Sequence, residues 1–139
     1  MNSVSEVGSG MYAENILDHF RHPHHKEKLE GADVSHEEYN PVCGDRVRVQ
    51  LKLDANGIVL SAAFLGSGCA ISQASASMLV EHLEGKSLAE LNGLSKEKVL
   101  EWLGIPIGPV RLKCALLALD TLKSGLIVFE KSRVKGELK

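Results

Sequence analysis

The chain has 139 residues, of which 44% are hydrophobic and 24% are charged, and its formal net charge is −2. This composition is ordinary for a globular protein with one domain. The slight negative charge gives no attraction to nucleic acid, and an aromatic content of 4% leaves few rings on which bases could stack. No apolar run approaches the roughly 20 residues that span a bilayer, so neither nucleic acid nor a membrane is an expected partner.

The two ends of the chain differ in composition from the middle. Residues 1–10 are polar and rich in Gly and Ser, which predicts a flexible N-terminal tail. They lack the basic start and apolar centre of a signal peptide, so the expected compartment is the reducing cytoplasm. An odd number of cysteines there argues against a disulfide framework. We expect one domain over residues 11–130 and a basic C-terminal tail over 131–139.

The first predicted element is a helix over residues 11–20, where apolar residues recur at spacings of three and four. Pro23 ends this helix. Residues 24–40 are polar and predict a loop or a short edge strand.

A β-hairpin follows. Residues 46–53 alternate strictly between apolar and basic or polar side chains, which predicts a half-buried strand. Asn56-Gly57 predicts a tight turn with a positive φ, and residues 58–65 form the return strand. Cys43 precedes the first strand and Cys69 follows the second, so the hairpin delivers both thiols to the same end of the sheet.

The second half of the chain predicts helices. A helix rich in Ala, Ser and Met covers residues 70–83, and a short helical piece covers 87–91. Ser95 is a suitable N-cap for a third helix with an apolar stripe. Pro109 fits the first turn of a long helix whose buried stripe of leucines runs to Leu126.

The three cysteines have distinctive surroundings. Cys43 lies in the run Asn-Pro-Val-Cys-Gly-Asp, with Asp45 two residues later. Cys69 follows Gly-Ser-Gly at the start of a helix, where free N–H groups and the helix dipole favour a thiolate. Cys114 lies on the long helix. Three sulfurs and one carboxylate suit a tetrahedral zinc ion or an iron–sulfur cluster, although free cysteines are also common as inert core residues.

These motifs resemble the IscU/SufU/NifU-N family of iron–sulfur cluster assembly proteins. The resemblance covers about residues 11–130 and is carried by Tyr-Ala-Glu-Asn-Ile-Leu-Asp-His at 12–19, the run around Cys43, Gly-Cys-Ala-Ile-Ser-Gln-Ala-Ser-Ala-Ser at 68–77, and Arg-Leu-Lys-Cys-Ala-Leu at 111–116. It implies an α+β fold, in which several helices pack on one side of a small three-stranded antiparallel sheet. It also implies that one exposed end binds the metal or cluster through Cys43, Asp45, Cys69 and Cys114.

The resemblance implies two functions. The first is a scaffold, not an enzyme, that accepts sulfur from a cysteine desulfurase of the IscS/SufS type, binds iron, builds a [2Fe–2S] cluster and transfers it to recipient apo proteins. The second is a zinc-dependent sulfurtransferase like SufU, which accepts persulfide sulfur at a ligand cysteine. Lys113 resembles the SufU branch, whereas the short separation of Cys69 and Cys114 resembles IscU.

Individual residues have expected roles in these functions. Cys43 and Cys114 are the candidate sulfur acceptors, and Lys113 and Arg111 are expected to give electrostatic support, Lys113 by steadying a thiolate or by pairing with Asp45. A carboxylate binds iron less strongly than a thiolate, so we expect Asp45 to keep a cluster labile enough to be passed on.

Other groups have simpler interpretations. His22, His24 and His25 surround Pro23 and could bind a metal, but a solvated surface patch is the favoured interpretation. The serines at 72, 75 and 77 are expected to pack between helices, because no histidine is placed to activate them. The apolar stretch 105–110 is a candidate docking edge or an ordinary connector.

Overall fold

A computed structural model describes residues 14–41 and 44–138, with side chains up to residue 133. Its elements are α1, described over residues 14–21, then β1 (Val34–Asn40), β2 (Asp45–Leu53), β3 (Val59–Ser67), α2 (Ala70–Glu81), α3 (Leu88–Asn92), α4 (Lys96–Leu103) and α5 (Pro109–Leu138). The predicted tail over 1–10, like Cys43, lies outside the described residues.

The three strands form one antiparallel sheet in the order β1-β2-β3. The alternation that predicts β2 is confirmed, since Val47, Val49 and Leu51 are at most 1% exposed. Phe64 on β3 is also fully buried. Helices α2 and α5 pack against the sheet and enclose the core with it. The expected α+β fold with a small antiparallel sheet is therefore confirmed.

The edge strand β1 is longer than its sequence suggests. All seven residues pair with β2, from Val34 opposite Leu51 to Asn40 opposite Asp45. Its side chains are mostly polar, so the sequence alone is compatible with either a loop or a short edge strand for this segment. The pairing with a strongly alternating neighbour supplies the order that the segment's own residues do not specify.

The turn between β2 and β3 differs in detail from the tight turn that Asn-Gly predicts. Among its residues only Gly57 has a positive φ, of 78°. Asp54 organises the turn, because its Oδ1 accepts the N–H groups of Asn56 and Ile58 at 2.8 and 3.0 Å. The pairing register shifts at Lys52 and Leu53, as expected when a hairpin loop contains an extra residue.

The last helix continues beyond the point where the sequence predicts a tail. Residues 131–138 belong to α5, which ends at Leu138. Lysine, arginine, glutamate and leucine are favourable in helices, and no proline interrupts the segment. Within the described residues, no helix is long and apolar enough to cross a bilayer.

The short helix α3 depends on a reciprocal cap. Ser87 Oγ accepts the N–H of Glu90 at 3.2 Å, and Glu90 Oε1 accepts the N–H of Ser87 at 2.9 Å. The hydrogen bond from the Ser87 backbone holds the pKa of Glu90 below its usual range.

Replacing Ser87 with alanine is expected to lower the free energy of unfolding by about 1 kcal/mol, because an N–H of α3 loses its acceptor. Urea denaturation measures the change. Ser132→Ala on the exposed side of α5 is the control and should leave stability within about 0.5 kcal/mol of the parent. An unchanged urea midpoint for Ser87→Ala would contradict the role of the cap.

Candidate metal and cluster site

Three elements meet at one end of the sheet and bring together three of the four predicted ligands. Asp45 is the first residue of β2, Cys69 precedes α2, and Cys114 lies near the start of α5. One ligand atom from each side chain lies within 4.8 Å of the other two. The fourth predicted ligand, Cys43, is two residues from Asp45 in sequence but lies outside the described residues.

Asp45 is completely buried, which is unusual for a carboxylate. Its Oδ1 accepts the backbone N–H of Cys69 at 2.8 Å, and its Oδ2 lies 3.7 Å from Cys69 Sγ. Among the described residues, no lysine or arginine forms an ion pair with Asp45. A buried charge without a partner is costly, so this environment suits a bound cation that neutralises the carboxylate.

Cys69 is the N-cap residue of α2. Its backbone is extended, with φ −74° and ψ 163°, and its sulfur accepts the N–H of Ser72 at 3.5 Å. The sulfur therefore lies at the positive end of the helix dipole, beside N–H groups that have no partner within the helix. The position at the start of a helix that the sequence predicts for Cys69 is therefore found.

Gly68 allows Cys69 and Asp45 to approach each other. Its φ is 143°, a conformation that residues with a side chain rarely adopt. A Cβ at this position would lie 2.1 Å from Asp45 Oδ1 and 2.9 Å from Asp45 Cα. The glycine is thus required both by the backbone and by the space that the buried carboxylate occupies.

Cys114 is held by the contact between the two main helices. It is completely buried on α5, next to Ala115. Ser75 on α2 donates its hydroxyl hydrogen to the carbonyl oxygen of Ala115 at 2.7 Å. This buried bond fixes α5 relative to the helix that Cys69 caps, and thereby sets the position of Cys114 in the site.

The two predicted supporting cations lie on the surface. Arg111 and Lys113 are exposed in the first turns of α5. Within the described residues, neither forms an ion pair with Asp45, so the pairing suggested for Lys113 is not found. Val110 is 74% exposed beside them, at the end of the stretch that the sequence marks as a docking edge.

A second cluster was missed in the sequence. His19 on α1 and His24 on the following loop lie close to Glu81, near the end of α2, and their ligand atoms are within 4.8 Å of one another. Burial and the neighbouring His24 lower the pKa of His19, although Glu81 and Asp18 act in the opposite direction. His22 and His25 are exposed, as expected for a surface patch, and the partly buried His24 also belongs to this cluster. No local pattern links residues so far apart.

Comparison with known proteins supports the resemblance. The profile of the family described as NifU-like N terminal domain matches residues 11–136. The "iron-sulfur cluster assembly enzyme IscU" of Drosophila melanogaster is 32% identical over 97% of this chain and 88% of its own length. The "iron-sulfur cluster assembly scaffold protein IscU" of Haemophilus influenzae is 34% identical over 83% of this chain and 92% of its own.

A solved structure has the same fold. It is described as that of a candidate iron–sulfur cluster assembly scaffold protein for the SUF system, from Fervidobacterium islandicum AW-1. The TM-score is 0.71 and the sequence identity 29%, over 86% of this chain and 99% of that one.

Proposed function

Because this chain belongs to the family of NifU-like N-terminal domains, we propose that it is a scaffold on which iron–sulfur clusters are assembled and from which they are transferred. The scaffold takes sulfur from a cysteine desulfurase, binds iron, and passes a [2Fe–2S] cluster to recipient apo proteins. The relatives described as IscU scaffolds, which align over most of the chain, support this function. Cysteines that must stay reduced also require a reducing compartment, for which we propose the cytoplasm.

The observation that carries the proposal is the convergence of Asp45, Cys69 and Cys114 to within 4.8 Å. Thiolate sulfur is the ligand that iron–sulfur clusters use in proteins. Asp45 adds an anionic oxygen to the two sulfurs. Its buried carboxylate has no cationic partner among the described residues. Cys43 is the proposed fourth ligand, and its proximity to Asp45 in sequence supports this assignment.

Sulfur enters by exchange between a thiolate of this chain and the desulfurase persulfide. A thiolate of this chain attacks the outer sulfur of the desulfurase persulfide, a sulfur–sulfur bond forms on the scaffold, and the desulfurase cysteine leaves as a thiolate. Cys43 and Cys114 are the proposed acceptors. Since Cys114 is completely buried, transfer to it requires that the start of α5 moves aside.

Arg111 and Lys113 are proposed to support this exchange electrostatically. Both are exposed cations in the first turns of α5, close in sequence to Cys114. A persulfide and a cluster held by thiolates are both anionic, so nearby positive charge favours their formation. Neither cation is proposed as a metal ligand, because an ammonium or guanidinium group has no lone pair to donate.

Anaerobic reconstitution tests the scaffold function. The apo protein is incubated with ferrous iron, cysteine, a desulfurase and dithiothreitol, which reduces the delivered sulfur to sulfide, and is then desalted and mixed with an apo ferredoxin. We expect cluster absorbance that survives desalting and then appears on the ferredoxin. A protein that holds no cluster after desalting, while the desulfurase is active, would refute the scaffold.

A zinc-dependent sulfurtransferase is the second candidate, and the convergence of Asp45, Cys69 and Cys114 to within 4.8 Å, close enough for one ion to bind all three, supports it. Zinc binds sulfur at about 2.3 Å and oxygen at about 2.0–2.2 Å, which places tetrahedral ligands roughly 3.5 Å apart. The 3.7 Å between Cys69 Sγ and Asp45 Oδ2 is close to this value. Tight binding of one zinc ion, strong activation of the desulfurase and no stable cluster would support this function instead.

Replacing Asp45 with alanine is expected to lengthen the lifetime of a reconstituted cluster several-fold, because the site loses its weakest ligand for iron. Decay of cluster absorbance in the presence of a chelator measures the lifetime. Asp45→Asn is the matched control, since it keeps the size of the side chain and an oxygen that can accept the Cys69 N–H. If Asp45→Asn lengthens the cluster lifetime as much as Asp45→Ala does, the negative charge of the oxygen controls how readily the cluster is lost. An unchanged or shorter lifetime in both variants would contradict the role of Asp45.

A further inference from the structure

A group of side chains away from the cysteines has the composition of a metal site. His24 Nδ1 lies 3.4 Å from Glu81 Oε1, and His19 Nε2 lies 3.8 Å from Glu81 Oε2. The two imidazole rings are 4.5 Å apart between centroids. Tetrahedral ligands at the usual zinc–nitrogen and zinc–oxygen distances are about 3.4 Å apart, so small rotations would allow all three groups to bind one ion.

Ser77 on α2 holds both histidines in place. Its Oγ lies 2.8 Å from His19 Nδ1 and accepts the backbone N–H of His24 at 2.8 Å. In the tautomer in which His19 Nδ1 donates its hydrogen to Ser77, the lone pair of the ring is on Nε2, the atom that faces Glu81. A histidine that binds a metal usually donates its other N–H to an oxygen in this way.

An ordinary ion pair explains this arrangement less well. Only 7% of His19 is exposed, and burial disfavours its protonated form. Two protonated rings at 4.5 Å would also repel each other. A single divalent ion would bind both rings and the carboxylate at once. The pair of His25 and Glu84, 3.9 Å apart and close to the same helix end, contains only one histidine and does not form such a cluster.

We propose that His19, His24 and Glu81 form a second metal site, which binds a divalent transition-metal ion, with Zn²⁺ as the best fit. Imidazole nitrogen and carboxylate oxygen are ligands that suit zinc. Glu81 ends the same helix that Cys69 caps, so the length of α2, about 18 Å at 1.5 Å per residue, separates the two sites. The second site therefore binds its ion independently of the cluster.

The proposed ion joins three separate segments of the chain. His19 belongs to α1, His24 to the loop after it, and Glu81 to α2. An ion bound by all three favours the folded chain, because the unfolded chain does not keep these ligands together. The expected consequence is a melting temperature that rises with zinc concentration and does not depend on the cysteines.

The test uses the full chain with Cys43, Cys69 and Cys114 all replaced by serine, so that the thiolate site is absent. The metal-free protein is titrated with Zn²⁺ against a chromophoric chelator, and its melting temperature is recorded. We expect one equivalent of bound zinc and a zinc-dependent rise in melting temperature. His24→Gln and Glu81→Gln should each weaken binding by more than about tenfold.

His25→Gln is the matched control, because it removes a neighbouring histidine that is paired with a different glutamate. It should leave the zinc affinity and the rise in melting temperature unchanged. The proposal is overturned if the triple serine variant binds no stoichiometric zinc, or if Glu81→Gln and His24→Gln bind zinc as tightly as their parent.

Cobalt in the unmodified chain keeps the proposal testable if the triple variant does not fold. Co²⁺ bound by thiolates has near-ultraviolet charge-transfer bands, whereas Co²⁺ bound by nitrogen and oxygen has only weak visible bands. In addition to the Co²⁺ bound by the thiolates, we expect one further equivalent of bound Co²⁺ that shows visible bands alone. This equivalent should be lost in Glu81→Gln. Absence of this equivalent, or its persistence in Glu81→Gln, overturns the site.

Discussion

Replacing Gly68 with alanine is expected to abolish cluster retention and to destabilise the fold. Two penalties coincide at this position. The φ of 143° is strained for alanine, and the new Cβ would lie 2.1 Å from Asp45 Oδ1. Backbone strain and overpacking each cost about 1–3 kcal/mol, which together are a large part of the roughly 5–15 kcal/mol that typically stabilises a domain.

The clash cannot be relieved by rotating one flexible side chain. The backbone Cα of Asp45 would also be only 2.9 Å from the new methyl group, and the Asp45 carboxylate is held by the N–H of Cys69. Either β2 or the start of α2 must move, and because Cys69 caps α2 directly after Gly68, the movement displaces the Cys69 sulfur from Cys114. Urea denaturation and the absorbance of the reconstituted cluster measure the two effects.

The variant Gly85→Ala separates the cost of backbone strain from the cost of the steric clash. Gly85 also has a positive φ, of 83°, but no atom lies within 4 Å of the position that an added Cβ would take. This variant should show the backbone strain alone and should retain the cluster. If Gly68→Ala were no less stable than Gly85→Ala and kept its cluster, the close approach of Gly68 to Asp45 would not matter for the site.

Replacing Cys114 with serine is expected to shorten the lifetime of the cluster by more than about tenfold, the scale on which even groups that only orient ligands affect metal affinity. Serine has nearly the size of cysteine, so the buried position on α5 tolerates it, but its hydroxyl does not replace a thiolate as a soft ligand. Decay of cluster absorbance gives the lifetime, and thermal unfolding shows whether the fold is kept.

Lys113→Ala is the neighbouring control for Cys114→Ser. Lys113 is exposed and is proposed to act through its charge, so its removal should leave cluster lifetime near the parent value and slow the transfer of sulfur from the desulfurase. Raised salt should reduce the difference between Lys113→Ala and the parent, because salt screens exposed charges. Equal cluster lifetimes for Cys114→Ser and the parent would remove Cys114 from the ligand set.

The sequence predicts the parts of the fold that are encoded locally. The alternation over residues 46–53 specifies β2 and its buried face, and the glycines before Cys69 mark the start of α2. Strand β1 is specified less well, because its polar residues gain their order from β2. The end of α5 is also missed, since basic residues at a chain end are compatible with either a tail or a helix.

From the residues alone, only the part of the site that lies at the two ends of the β2–β3 hairpin is predictable. The hairpin indicates that the segments around Cys43 and Cys69 reach the same end of the sheet. Cys114 joins them because α5 docks on α2 through contacts such as the Ser75 bond to Ala115, which connect distant parts of the chain. Only the family resemblance indicated that convergence. No resemblance pointed to the cluster of His19 and Glu81.

The segment after α1 also protects the open edge of the sheet. The N–H of Phe64 on β3 donates to the carbonyl oxygen of His25 at 3.0 Å, and Lys26 forms a bridge with Phe64. An edge strand without such cover is a template for pairing with another molecule. His24, immediately before this cover, is anchored to Ser77, so cutting that anchor would free β3 to recruit a second copy. Aggregation of a Ser77→Ala protein would then begin at this edge.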